Sequence, residues 1–148
     1  MNSISGLASG ESAETMRRIL ELIEGASSIA ISGHTSPDGD ALGSVLGLGL
    51  SLSQRYPQKR VAMLLADDAP VPRIYRFMEG SDQLVPASTY TDDPDLFISV
   101  DVPVVERLNN SAAVLHRAKH VVCFDHHPAR EEFAEFSVRC VDAAACAM

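Results

Sequence analysis

Three short stretches of the chain carry side chains that bind metal and move protons: His34-Thr35-Ser36-Pro37-Asp38-Gly39-Asp40, Asp101, and Asp125-His126-His127. Together they supply four carboxylates and three imidazoles. Carboxylates gathered in one place repel one another and take up protons unless a cation separates them. A bound cation removes that conflict and makes the site electropositive, although the chain as a whole has a formal net charge of −8. Carboxylate oxygen mixed with imidazole nitrogen, with no thiolate among them, suits Mn²⁺ or a similar divalent ion better than a structural zinc site. Two such ions about 3.5–4 Å apart form a clamp for in-line attack on phosphate, so phosphoester hydrolysis is the chemistry implied. Between Asp38 and Asp40, Gly39 is expected to let the backbone turn sharply and aim both carboxylates at neighbouring ions. The closest basic residues in sequence, Arg55, Arg107 and Arg130, lie outside the three stretches.

Each of these residues also has a plainer reading. Asp38-Gly39 is a common turn, Asp40 can cap a following helix, and so can Asp101, two residues before Pro103. His126-His127 before Pro128 reads as a polar turn, His116 and His120 as exposed or structurally satisfied, and Arg130-Glu131-Glu132 as a solvated run. What favours the metal reading is position, because each stretch closes a different predicted strand.

Those strands are short and continuously apolar: Ile29–Ser32, Val61–Leu65, Leu96–Val100, Val121–Phe124 and Phe136–Val141. Helical patterns separate them. Met16, Ile19, Leu20 and Ile23 mark one face of a helix that begins near Ala13 and ends at Gly25. A second helix, from about Asp40 to Arg55, is apolar nearly all round and so deeply buried. Its Gly43, Gly47 and Gly49 are expected to bring it close to the sheet. Ile74–Met78, Val104–Leu108 and Ala112–Ala118 complete the helical segments. The fold class is therefore α/β: a mostly parallel sheet of about five strands with helices on both faces. In such sheets ligands bind beyond the carboxyl ends of the strands, where all three stretches fall.

At 148 residues, with 46% hydrophobic and 22% charged residues, the composition is that of one globular domain. The Ser- and Gly-rich residues 1–12 read as a flexible leader, and 13–148 as the folded domain. Twenty acidic residues against twelve basic ones argue against a duplex nucleic-acid binder. No run approaches the roughly 18 apolar residues of a membrane span and no signal peptide is evident, so the expected location is cytoplasmic. Cys123, Cys140 and Cys146 form no Cys-x-x-Cys pair and read as small apolar residues.

His34-Thr35-Ser36-Pro37-Asp38-Gly39-Asp40-Ala41-Leu42-Gly43-Ser44, then Val100-Asp101, then Asp125-His126-His127-Pro128, resemble in order and spacing the first three motifs of the DHH phosphoesterase superfamily. Within it the chain looks most like the bacterial oligoribonuclease and pAp phosphatase group, the NrnA-like proteins. Ile74-Tyr75-Arg76-Phe77-Met78-Glu79-Gly80 also resembles the Tyr-x-Phe-x-x-Gly stretch of that group. The resemblance implies a Rossmann-like DHH domain that holds two divalent ions, usually Mn²⁺. His34, Asp38 and Asp101 would hold one ion, and Asp40, Asp101 and His126 the other, with Asp101 bridging. His127 would touch the scissile phosphate or its attacking water, and Asp125 would orient the imidazoles. The implied substrates are short single-stranded RNA oligomers, 3′-phosphoadenosine 5′-phosphate (pAp) or linear dinucleotides, and the resemblance leaves a homodimer open. The family pattern continues into a Thr-Asp-Thr-Gly-like segment and a small substrate-binding domain, neither of which lies in the 148 residues. The expectation is thus a catalytic domain truncated at its C-terminus, with a non-catalytic metal- or nucleotide-binding remnant as the alternative. Asp142–Met148 would begin the helix that the family continues.

Overall fold

The structure, a computed structural model, describes residues 10–128 and 131–147. Strands β1 (Ser28–Ser32), β2 (Arg60–Leu65), β3 (Val85–Pro86), β4 (Leu96–Val100), β5 (His120–Asp125) and β6 (Phe136–Arg139) form one sheet in the order β3-β2-β1-β4-β5-β6. Every neighbouring pair is parallel. The strand beyond the expected five is β3, whose two residues are too few to show any period. Helices α1 (Gly10–Gly25), α2 (Gly39–Arg55) and α3 (Ser111–Arg117) complete the fold; the short helical turn expected at 74–78 is a single turn of 3₁₀ helix over Arg73–Tyr75, and the helix expected at 104–108 is likewise 3₁₀, over Val105–Leu108. Helix α1 begins at Gly10, three residues before the start expected near Ala13; residues 1–9 lie outside the described residues.

Two apolar layers sandwich the sheet. On one face Ile29, Ile31, Leu96, Ile98 and Val122 pack against Ile19 and Ile23 of α1 and Leu42, Val45 and Leu46 of α2. On the other, Ala30, Leu64 and Phe97 pack against Val102, Leu108, Val114 and Leu115. Alternate residues of one strand serve opposite layers, which is why β1 and β4 are mostly apolar and buried along their whole length. Phe97 has no exposed surface, so truncating it to Ala would cost about 3–5 kcal/mol. Leu20 does not join the α1 face; it is exposed, and Leu22 packs against the core in its place. Gly49 makes the expected close approach, since a Cβ there would collide with the Met63 side chain, whereas Gly47 has open space around it.

Strand order decides where a site can form. From β1 the chain winds through β2 to β3 on one side, then crosses to β4 on the other. The carboxyl ends of β1 and β4 therefore diverge into oppositely directed connections and leave a crevice, the usual ligand position in open parallel sheets.

Candidate metal centre

His34 follows β1 and Asp101 follows β4, so the two stand on either side of that crevice. Asp101 is buried and takes a positive φ of 61°, a conformation that Asp tolerates better than most residues. Its amide donates to the Phe124 carbonyl at 2.9 Å, which fixes the turn against β5. His34 Nε2 lies 3.4 Å from Asp101 Oδ2 and 3.6 Å from Asp38 Oδ1. His126, just past β5, brings its Nε2 to 3.0 Å from Asp101 Oδ1 and 3.3 Å from Asp40 Oδ2. Two groups of side chains thus converge on Asp101: His34 with Asp38, and His126 with His127.

Both inward-facing imidazoles are held in the same way. The Nδ1 of His34 lies 2.7 Å from the Thr35 carbonyl oxygen, and that of His126 lies 3.2 Å from the Ala143 carbonyl. A carbonyl only accepts, so each Nδ1 carries the hydrogen and each Nε2 lone pair is turned toward Asp101. Lone pairs facing carboxylate oxygens repel unless a proton or a cation lies between them. Asp101 Oδ1 is buried with no hydrogen-bond partner, although His126 Nε2 is close by. These groups fit a divalent cation held by oxygen and imidazole nitrogen. Without the cation, the hydrogen bond to Asp101 raises the His34 pKa against the opposing effect of burial.

Asp38 also caps α2, accepting from the Ala41 amide at 2.9 Å. It caps the helix and faces His34 at the same time, while Asp40 lies in the first turn beyond it. Gly39 does not supply a sharp left-handed turn: it is the first helical residue, and Gly80 is the sole glycine with positive φ among the described residues. Its lack of a side chain matters because Tyr75 packs over it, 3.4 Å from where a Cβ would be. Asp40 is engaged by the C-terminal turns, accepting from the amides of Cys146 at 2.9 Å and Ala147 at 3.2 Å. Burial works to raise the Asp40 carboxyl, but these two amides, with His126 and Ser44, outweigh it and hold it below the usual range. The helix expected to start at Asp142 is absent among the described residues; residues 141–147 make turns that deliver those amides.

His127 is oriented the other way. Its Nδ1 lies 2.7 Å from Asp125 Oδ1, and the ring is partly exposed beside the centre, its centroid 4.4 Å from that of His126. Asp125 Oδ2 in turn accepts from Arg139 at 2.6 Å. The His127 Nδ1 also lies 3.8 Å from Asp101 Oδ1, and the side chain as a whole is 41% exposed.

Two residues that the sequence reading passed over, Arg139 and Asp67, shape the site, and so does Arg107, which that reading placed outside the three stretches. Arg139 of β6 braces Asp125, Arg107 brings a guanidinium nitrogen to 3.3 Å from His34 Nδ1, and Asp67 ties down the loop after β1. The nearest cations are therefore closer than sequence distance implied; Arg130 lies outside the described residues. Among the cysteines, burial pushes the Cys123 and Cys146 thiols up to about 12, so neither is a thiolate donor near neutral pH. His116 and His120 are exposed and remote from the crevice, His120 pairing with Glu135 at 2.8 Å. A cleft of about 290 Å³ opens beside Asp40, lined by Ser44, Val100, Phe124 and Cys146 among others.

A parallel Rossmann-like sheet with carboxylates and imidazoles gathered at its switch point defines an α/β domain of the phosphoesterase type with a candidate divalent-metal centre. The chain belongs to the DHH family: residues 28–148 match its N-terminal domain. It is similar to the cyclic-di-AMP phosphodiesterase GdpP of Geobacillus thermodenitrificans, 31% identical over 131 residues, which cover 78% of this chain and 18% of that protein. In fold it is similar to an exopolyphosphatase-related protein from Bacteroides fragilis, with a TM-score of 0.78 at 23% identity over 90% of this chain and 41% of that one. The chain thus spans under half the length of both. No helix among the described residues is long and apolar enough to cross a membrane.

Proposed function

We propose that this chain is the catalytic domain of a divalent-metal-dependent phosphoesterase, with Mn²⁺ as the metal. Its substrates on this reading are short oligoribonucleotides or small nucleotides such as pAp and linear dinucleotides. The observation that carries the proposal is the convergence on Asp101 of two imidazole Nε2 atoms, each with its Nδ1 tied to a backbone carbonyl. His34, Asp38 and Asp101 would hold one ion; Asp101, His126 and Asp40 would hold a second. Divalent ions bound there supply positive charge to phosphate oxygens and bring the pKa of a water toward neutrality. The protein's own part is to position and to move protons. His127, steadied through Asp125, places Nε2 where it can contact a phosphate oxygen or pass a proton to or from the reacting oxygens. Asp125 keeps the Nδ1 hydrogen in place, and Arg139 holds the Asp125 carboxylate where it is.

The likeness to a cyclic-di-AMP phosphodiesterase supports a dinucleotide phosphodiester within the substrate range. Calorimetric titration of the chain with Mn²⁺, run beside assays of hydrolysis of pAp and of a linear dinucleotide, tests the proposal. Two bound ions and metal-dependent product release are expected. Binding without turnover would leave a metal-binding domain that needs further protein for catalysis.

A further inference from the structure

Just past β2, Asp67 occupies a position that no metal-ligand role explains. It lies outside both groups gathered on Asp101. Its carboxylate instead accepts three hydrogen bonds from two separate loops. Oδ1 takes the Thr35 hydroxyl and the Asn109 side-chain amide, each at 2.7 Å, and Oδ2 takes the Ser36 backbone amide at 2.7 Å. Thr35 and Ser36 lie between His34 and Asp38, while Asn109 ends the 3₁₀ turn that follows Asp101. One side chain at the end of β2 therefore joins the loop from β1 to the loop from β4 across the crevice.

The backbone shows what the junction holds. Among the described residues, three that are not glycine have positive φ: Ser36 at 49°, Asp101 at 61° and Asn109 at 46°. Two of the three donate to Asp67. Such conformations are strained for a residue with a side chain and persist only where surrounding contacts enforce them. The same loops are further linked by the Thr35 amide on the Arg107 carbonyl at 2.7 Å and by the Asn110 amide on the Ala66 carbonyl at 3.1 Å.

We propose that Asp67 is a positioning residue for the metal centre: its carboxylate holds the Thr35-Ser36 loop and Asn109 in their strained conformations, and so fixes the His34–Asp38 pair relative to Asp101. This rests on the reading of the centre as a divalent-metal site. Groups that orient a ligand from behind commonly change metal affinity 10–100-fold when removed. Asp67 acts in this way through the backbone.

The test compares two carboxylates at opposite ends of the sheet. Asp95 also gathers donors, namely the Ser27 amide at 2.8 Å and the Lys119 ammonium at 2.6 Å, but at the amino ends of the strands, away from the crevice. Mn²⁺ affinity is measured by calorimetry, and thermal midpoints in EDTA, for the wild type and for Asp67→Ala, Asp67→Asn, Asn109→Ala and Asp95→Ala. The expected result is Mn²⁺ binding weakened about 10–100-fold in Asp67→Ala and by smaller factors in Asp67→Asn and Asn109→Ala. Asp95→Ala should lower the midpoint in EDTA while binding Mn²⁺ as the wild type does. Wild-type affinity in the Asp67 variants overturns the proposal, as does equal weakening in Asp95→Ala, which would mark the loss as general destabilisation. If Asp67→Ala does not fold, Asp67→Asn and Asn109→Ala decide. Absence of Mn²⁺ binding in the wild type would instead overturn the reading of the centre, and this proposal with it.

Discussion

The Asp125 carboxylate and the Arg139 guanidinium meet at 2.6 Å with both side chains almost entirely out of water, 0% and 8% exposed. They join β5 to β6 at the point where Asp125 also holds His127. Removing one partner of a buried ion pair leaves an uncompensated charge and costs about 3–5 kcal/mol. Arg139→Met should lose stability in that range in urea denaturation, and Asp125→Asn combined with Arg139→Met should lose less than the sum of the two single changes. An additive double variant would show that the pair is not coupled.

Asp101→Asn separates the site from the fold. Asn tolerates the positive φ at this position, so the backbone can remain as it is. The substitution removes a buried charge together with the hydrogen bond that Asp101 makes to His34, two opposing effects, so the protein in EDTA should keep a stability close to that of the wild type. Mn²⁺ binding and hydrolysis should both be lost. A variant that binds Mn²⁺ normally would remove Asp101 from the centre.

His127→Asn tests proton transfer apart from metal binding. A positioned acid or base contributes about 10²–10⁴-fold to rate, so kcat should fall by that factor while the Mn²⁺ taken up at the His34–Asp38 side of Asp101 stays unchanged. A fall in KM affinity alone, with kcat kept, would assign His127 to binding.

Acid sensitivity is expected at Asp95. The Lys119 ammonium first, and then the Ser27 amide, hold its carboxyl below the usual carboxylate range. A carboxyl lowered in the folded state contributes stability above its unfolded value of about 3.9, and the contribution is lost as pH falls through the lowered folded value. The gap in thermal midpoint between wild type and Asp95→Asn should be constant from pH 7 to pH 5 and narrow below about pH 4. A gap that persists at pH 3 would contradict the assignment.

The strands were legible because a sheet covered on both faces needs nearly continuous apolar runs, and Leu96–Val100, broken only by Ser99, shows one. Val85–Pro86 showed nothing, since pairing of two residues depends on the neighbour β2 and not on pattern. The metal candidates were legible because they sit at strand ends, and the fold brings His34, Asp38, Asp101 and His126 within reach of one another. Gly39 was misread because space under Tyr75, a contact between segments distant in sequence, sets its role. Arg139 carried a signal, a single cation inside a mostly apolar strand, and Asp67 carried another, coming just after β2 as Asp101 comes just after β4. The turns at 141–147 that reach Asp40 carried none, because they hydrogen-bond through backbone amides, which every sequence supplies.

The placing of β1 beside β4 also bears on how the protein comes into being. As the chain leaves the ribosome, His34 and Asp38 emerge long before Asp101, and β1 can first pair only with β2. Parallel pairing between distant segments is slow, because the intervening chain must be ordered before contacts form. A newborn chain therefore passes through a stage in which half of the centre is folded and its other half has yet to be made. On the reading proposed above, a metal is captured only once β4 and β5 have docked.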